Sequence, residues 1–251
     1  MELPVFNDNL RSSGSWMAAV DTLREQWRET MSAADNRRNL APRARMLQLL
    51  HTLPRMGHLI DERTAALLAL QSPDNLNQSE PARLLRAATL ISEAAATPDA
   101  RLTRETLARM YRALAGAHAD ADVLRQTESL AIGAAHHPLP ATLVPKMLDN
   151  ALDWFTTDGV GEMHIIERAV LVYMRLLDIQ PFPLHHDPAA LLAASFYLER
   201  EGLPPLILFA DELNARRFPT ILESAFRMLT QPMVEFFAEN VARTMQIVPS
   251  E

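Results

Sequence analysis

Ile179-Gln-Pro-Phe-Pro-Leu-His-His-Asp-Pro188, running on through Ala-Ala-Leu-Leu-Ala-Ala-Ser-Phe-Tyr-Leu198 to Glu-Arg-Glu-Gly202-Leu-Pro204-Pro205, decides how this chain folds. Residues 189–198 are apolar almost all round, which suits a helix in the middle of a core and not one lying on its surface. Asp187-Pro188 reads as the start of that helix, a carboxylate N-cap followed by proline at N1. Such a cap is worth about 1 kcal/mol. Gly202, Pro204 and Pro205 end it. Residues 165–177, just upstream, are apolar almost all round as well. The chain therefore reads as two buried helices joined by a short polar turn.

Helical spacing continues outward from this pair. Trp16, Val20, Leu23, Trp27 and Met31 form one apolar face, with Ser13 or Ser15 as N-cap. Met46, Leu47, Leu49, Leu50 and Leu53 form a second, ended by Pro54, and Ala65, Leu67, Leu68 and Leu70 a third, ended by the loop Ser72–Ser79. Further helices are predicted at 80–96, 103–116, 143–156, 163–178, 188–201, 210–229 and 231–246. Only Ser129–Gly133 reads as extended. The predicted class is all-α.

Composition narrows the function classes. At 48% apolar and 22% charged, the 251-residue chain is an ordinary globular protein. It has no cysteine, which excludes disulfides, thiolate catalysis and cysteine-ligated zinc. A net charge of −7 gives no basic face for nucleic acid. No apolar run reaches the roughly 20 residues that span a bilayer. Met-Glu-Leu-Pro at the start lacks the basic and apolar regions of a secretory signal, so a cytoplasmic location is expected. One lysine, Lys146, against 23 arginines points to a GC-rich bacterial genome.

The order of several short motifs resembles the Fic/Doc (Fido) family. That family writes I-H-P-F-x-[D/E]-G-N-G-R-x-x-R and then an apolar helix ending in G-x-P-P. Ile179, Pro181, Phe182, Leu191, Leu192, Gly202, Pro204 and Pro205 keep its frame. Upstream, Val123 to Gly133 is similar to the family's G-x-[YF]-R-x-x-x-V-x-I-G, which opens a target-aligning hairpin, the flap. By that resemblance Arg125, Ser129, Leu130, Ala131 and Ile132 are flap residues that would hold a target strand. Pro138, Pro140, Val144, Pro145, Met147 and Leu148 match the P-P-x-x-V-P-x-L-M run that follows. Glu162 to Ala169 resembles H-P-L-x-x-A, with Tyr173 where the family often has histidine, and Phe218 falls where an aromatic is usual. Thr89 to Ala94 resembles the inhibitory [S/T]-x-x-x-E-[G/N] helix, with Thr89 and Glu93 as its relic. The implied layout is an N-terminal helical extension over 1–79, a Fic-like bundle with a short β-hairpin flap over 80–246, and a tail at 247–251.

The resemblance also implies what is missing. The family's base histidine falls on Gln180, its metal carboxylate on Leu184, its Gly-Asn-Gly turn on His185, His186 and Asp187, and its arginines on Pro188 and Leu191. Gln180 exchanges no proton near neutral pH, and Leu184 cannot hold a hard cation. Pro188 has no N–H to offer an anion. Asp187, as an N-cap, would occupy the phosphate position with its own oxygen. With Leu191 in place of arginine, Glu93 has nothing to clamp. These substitutions point to a degenerate Fic-like protein that binds a protein partner or a second copy of itself, with no cofactor. Two alternatives stand beside it. One is a nucleotidyl or phosphoryl transferase using ATP and magnesium, with His185 or His186 as a new base. The other is a zinc-type site gathering His136, His137, His164, His185 and His186, against the simpler reading of solvated loop histidines. Three further residues carry two readings each: Arg125 as flap residue or exposed ion-pair partner, Glu167-Arg168 as buried pair or exposed strip, and Trp16 and Trp27 as core cap or partner surface.

Overall fold

A computed structural model describes residues 15–32, 34–72, 78–117, 123–132 and 136–249, with the side chains of 15 and 34–39 left aside. Eleven α-helices follow one another: α1 Ser15–Ser32, α2 Ala34–Thr52, α3 Glu62–Ala69, α4 Glu80–Ala96, α5 Arg104–Ala115, α6 Val144–Trp154, α7 Asp158–Gly161, α8 Ile165–Ile179, α9 His186–Arg200, α10 Glu212–Phe226 and α11 Gln231–Ile247. Among the described residues there is no strand, and the only β pairing is an isolated antiparallel bridge between Ile132 and His136. The flap segment is therefore in place without a laddered hairpin; Gly133, predicted as its extended end, lies outside the described residues.

The two apolar helices form the centre. Every residue of α9 from Pro188 to Leu198 is buried, as its unbroken apolar sequence requires. It packs against α8, α4 and α5, while α11 packs against α8, α10 and α1. Trp16 and Trp27 of α1 are buried in the same core, so they cap it and present no free aromatic surface. The apolar stretch after α9 runs through this core without a helix of its own. Side chains satisfy its backbone: Ser195 Oγ accepts from Leu206 N–H at 2.9 Å, Asn240 Oδ1 accepts from Phe209 N–H at 2.9 Å, and Asn214 Nδ2 donates to Phe209 O at 3.0 Å. Among the described residues no helix is long and apolar enough to cross a membrane.

Several boundaries differ from the sequence expectation. The second helix begins at Ala34, well before its apolar face, because Ala34–Asn39 carries no apolar period to announce it; Pro42 sits inside it. Pro54 does end the α-helix, but the chain continues as a 3-10 turn, Leu53–Met56, closed by Gly57 at φ 83°. The four-residue α7 contains two glycines and was not foreseen. Helix α9 begins at His186, not at Pro188, and His185 is its N-cap. Asp187 is thus the second helical residue, and its carboxylate caps nothing.

Glu167 and Arg168 are neither a buried pair nor an exposed strip. Both are half-buried, and each bonds the local backbone. Glu167 Oε2 accepts from His164 N–H at 3.2 Å, while Arg168 donates to the carbonyls of Val160 and Gly161.

Candidate functional site

The turn between α8 and α9 is bracketed by two non-glycine residues in the left-handed region, Gln180 (φ 46°) and His185 (φ 57°). Each such residue costs on the order of 1–2 kcal/mol, so the surrounding contacts must hold them. Gln180 N–H closes α8 on Leu176 O at 2.9 Å. Phe182 is buried and stacks on Tyr111 with centroids 4.2 Å apart and planes 4° from parallel. Tyr111 Oη then accepts from Leu184 N–H at 3.3 Å. Burial raises the Tyr111 hydroxyl above its ordinary pKa, and the Leu184 amide opposes this. The backbone shape that glycine would supply at His185 is kept without the glycine.

Arg125 is fully buried. Its guanidinium donates to the carbonyls of Gln180 at 2.7 Å, Thr127 at 3.1 Å, Ile179 at 3.3 Å, and Leu139. Its own N–H donates to Pro181 O at 2.9 Å. Burial lowers its pKa, and Glu128 partly restores it. Arg125 is therefore a bolt between the flap segment and the end of α8. The ion-pair alternative is overturned, because carbonyl oxygens take the donors that a surface carboxylate would have used.

Gln180, fully buried, is bonded to the same segment. Ser129 Oγ donates to Gln180 Oε1, and Gln180 Nε2 donates to Leu130 O at 3.4 Å. His186 Nε2 lies 3.3 Å from Ser129 Oγ. Because Gln180 Oε1 can only accept, the serine proton points to Gln180 and His186 Nε2 carries the proton given to Ser129. That direction is the reverse of an activated nucleophile, in which histidine takes the serine proton. Burial lowers the pKa of His186, as do Arg125 and His185. His185 is also lowered, by burial first and by Arg83 and His58, with Glu80 opposing.

The carboxylate of Asp187 turns away from the helix amides. It accepts from Arg55 Nε at 2.6 Å and Nη2 at 2.9 Å, and from Tyr173 Oη at 2.6 Å. Arg55 comes from the 3-10 turn after α2 and also lies over the Phe218 ring, 4.3 Å from its centroid. Burial would lower the Arg55 guanidinium, but Asp187 and then Tyr173 raise it overall. Burial, with Asp187 beside it, pushes the Tyr173 hydroxyl well up. A bidentate charged pair outweighs a single cap bond, which is why the expected N-cap role fails. Sequence reasoning had no means of finding Arg55.

The remaining candidate residues separate. His164 caps α8 by accepting from Ile166 N–H at 3.2 Å and lies edge-on to Trp16. His136 stacks on Phe226 at 4.4 Å and sits 3.6 Å from Asp178, at the other end of α8. The length of that helix puts the two about 20 Å apart. His137 is exposed. Among the described residues no three His, Asp or Glu side chains form a group able to hold a metal. The convergence expected of these histidines does not occur, since His164 and His136 are held at opposite ends of α8.

Glu93 is likewise away from the turn. Glu80, at the start of α4, is near enough to His185 to act on its charge, and Glu93 lies about 20 Å further along that helix. It shares a cleft with Glu199, at the far end of α9.

No protein-family model and no curated protein matches the sequence. Solved structures do match its shape. C. elegans Fic-1, residues 134–508, superposes with a TM-score of 0.76 at 20% identity, over 93% of this chain and 70% of that one. A Fic domain containing signaling protein from Bacteroides thetaiotaomicron gives 0.76 at 15% identity, over 93% and 96%. A Fic family protein from Desulfovibrio desulfuricans gives 0.64 at 18% identity, over 92% and 73%. The α8–turn–α9 core, the flap segment bolted to it and the helices around them together are an all-α Fic fold.

Proposed function

We propose that this chain is a Fic-fold protein that binds a protein segment or a second copy of itself and does not transfer AMP by the usual Fic route. The observation that carries this reading is the pinned flap with an open edge. Arg125 and Gln180 fix the segment to the core. Meanwhile the N–H groups of residues 127–131 donate to no described residue, and Leu130 is 88% exposed. An unpaired, immobilised edge is what strand addition uses, and main-chain pairing needs none of the transfer chemistry.

The motif positions support the same reading. In the base position, the Gln180 amide exchanges no proton and is bonded to the flap. Leu184, in the metal position, projects no oxygen ligand. Asp187 spends both carboxylate oxygens on Arg55 and Tyr173. The transferase alternative rests on the 3.3 Å approach of His186 to Ser129, where the proton runs the wrong way. A transfer assay with ATP labelled in its α-phosphate, magnesium and a mixture of acceptor proteins is expected to leave every protein unlabelled. Transfer that disappears in His185→Ala/His186→Ala would overturn the proposal and make one of those rings the base.

A further inference from the structure

We propose that the cleft between α1, α2, α4 and the end of α9 is a binding site for a small zwitterionic molecule, a dipeptide with apolar side chains. The ammonium would lie on Glu199 and the carboxylate on Arg45 and Arg28. The cleft is distant from the α8–α9 turn and holds about 770 Å³, the volume range of small-molecule sites. Trp27, Met31, Leu40, Leu203 and Pro204 give it apolar walls.

Three of its polar side chains lack a partner among the described residues. Gln48, only 4% exposed, lines the cleft and makes no hydrogen bond to any described residue. Arg28 and Arg45 line the same cleft, and neither pairs with a carboxylate among the described residues. Burial pushes the Glu199 carboxyl up to about 7, and the Ser92 hydroxyl alone opposes this. No ion pair joins Arg28 or Arg45 to Glu199 or Glu93 among the described residues, so charges of both signs line the cleft without neutralising each other. Glu93 adds a second, exposed carboxylate to the cleft. An ion of one sign would satisfy one end only. A molecule with both charges on an apolar body satisfies both, and two residues of chain span at most about 7 Å.

The sign of the pH dependence follows from Glu199. An ammonium prefers the ionised carboxylate, which makes up about one tenth of the protein at pH 6 and half at pH 7. Affinity should therefore be about fivefold higher at pH 7. The test is calorimetric titration of the whole protein with Leu-Leu, Ala-Phe and Met-Ala, at concentrations up to about 10 mM, which detects even weak sites. The expected result is saturable binding of at least one dipeptide with that pH dependence. N-acetylation or C-terminal amidation of the dipeptide should weaken it at least about tenfold, the loss of one charged contact. Glu199→Gln copies the neutral acid in shape. It should fold, lose the pH dependence and bind as weakly as wild type binds the acetylated dipeptide. Absence of binding by all three dipeptides, or equal binding by wild type and Glu199→Gln at both pH values, would overturn the proposal.

Discussion

Arg125→Ala is expected to lower stability by roughly 4 kcal/mol. The substitution strips a charged donor from the carbonyls of Gln180, Thr127, Leu139 and Ile179, at least two of them buried. Each bond from a charged donor is worth roughly 1.5–3 kcal/mol, and each stranded acceptor adds its desolvation cost. In a chain of this size that is a fall of roughly 10 °C in Tm. Arg125→Met keeps the volume and should lose nearly as much, whereas Arg125→Lys should recover part of it by reaching one or two of the carbonyls. Thermal unfolding of the three variants checks the order Lys above Met and Ala. A methionine variant as stable as wild type would mean that packing, not hydrogen bonding, is what Arg125 supplies.

The second large effect belongs to Asp187 and Arg55. Arg55→Ala and Asp187→Ala should each cost about 3 kcal/mol, because either one leaves a mostly buried charge without its partner. The side chains are 19% and 26% exposed, too little for water to replace the lost contact fully. Arg55→Ala should be the milder, since Tyr173 still donates to Asp187. Losing Asp187 strands a guanidinium over the Phe218 ring. The double variant should lose only slightly more than Asp187→Ala alone, giving a coupling of about 2 kcal/mol in a double-mutant cycle by chemical denaturation. Additive losses would show that the two residues act separately.

What the sequence disclosed depended on range. The buried pair α8 and α9 was legible because α9 has no polar face and α8 only a narrow one, and the punctuating prolines and glycines located most other helices to within a few residues. Helix α2 lost its first half, since Ala34–Asn39 offers no apolar rhythm. At the turn, Asp187-Pro188 has every local mark of a helix start, yet a partner 132 residues earlier decides where its carboxylate points. No local rule contains Arg55. Arg125 was found as a position but not as a role, because carbonyls that bond a buried guanidinium leave no signature in residue type. Histidines clustered in sequence were separated by α8, whose length keeps His136 and His164 at opposite ends. The cleft at Glu199 was invisible for the same reason: four elements from distant parts of the chain make it.

The most direct test of the central claim, that this Fic fold keeps its turn for internal bonding and not for nucleotide, is thermal unfolding against ATP, ADP, GTP and CTP, each with and without magnesium. A ligand at 100 times its dissociation constant adds about 2.7 kcal/mol to folding, several degrees in a protein of this size. The account predicts an unchanged midpoint with every nucleotide, since Asp187, Gln180 and His186 are already committed to Arg55, Tyr173 and Ser129. A magnesium-dependent rise with any nucleotide, abolished by His186→Ala, would contradict it and restore the turn as a phosphate site.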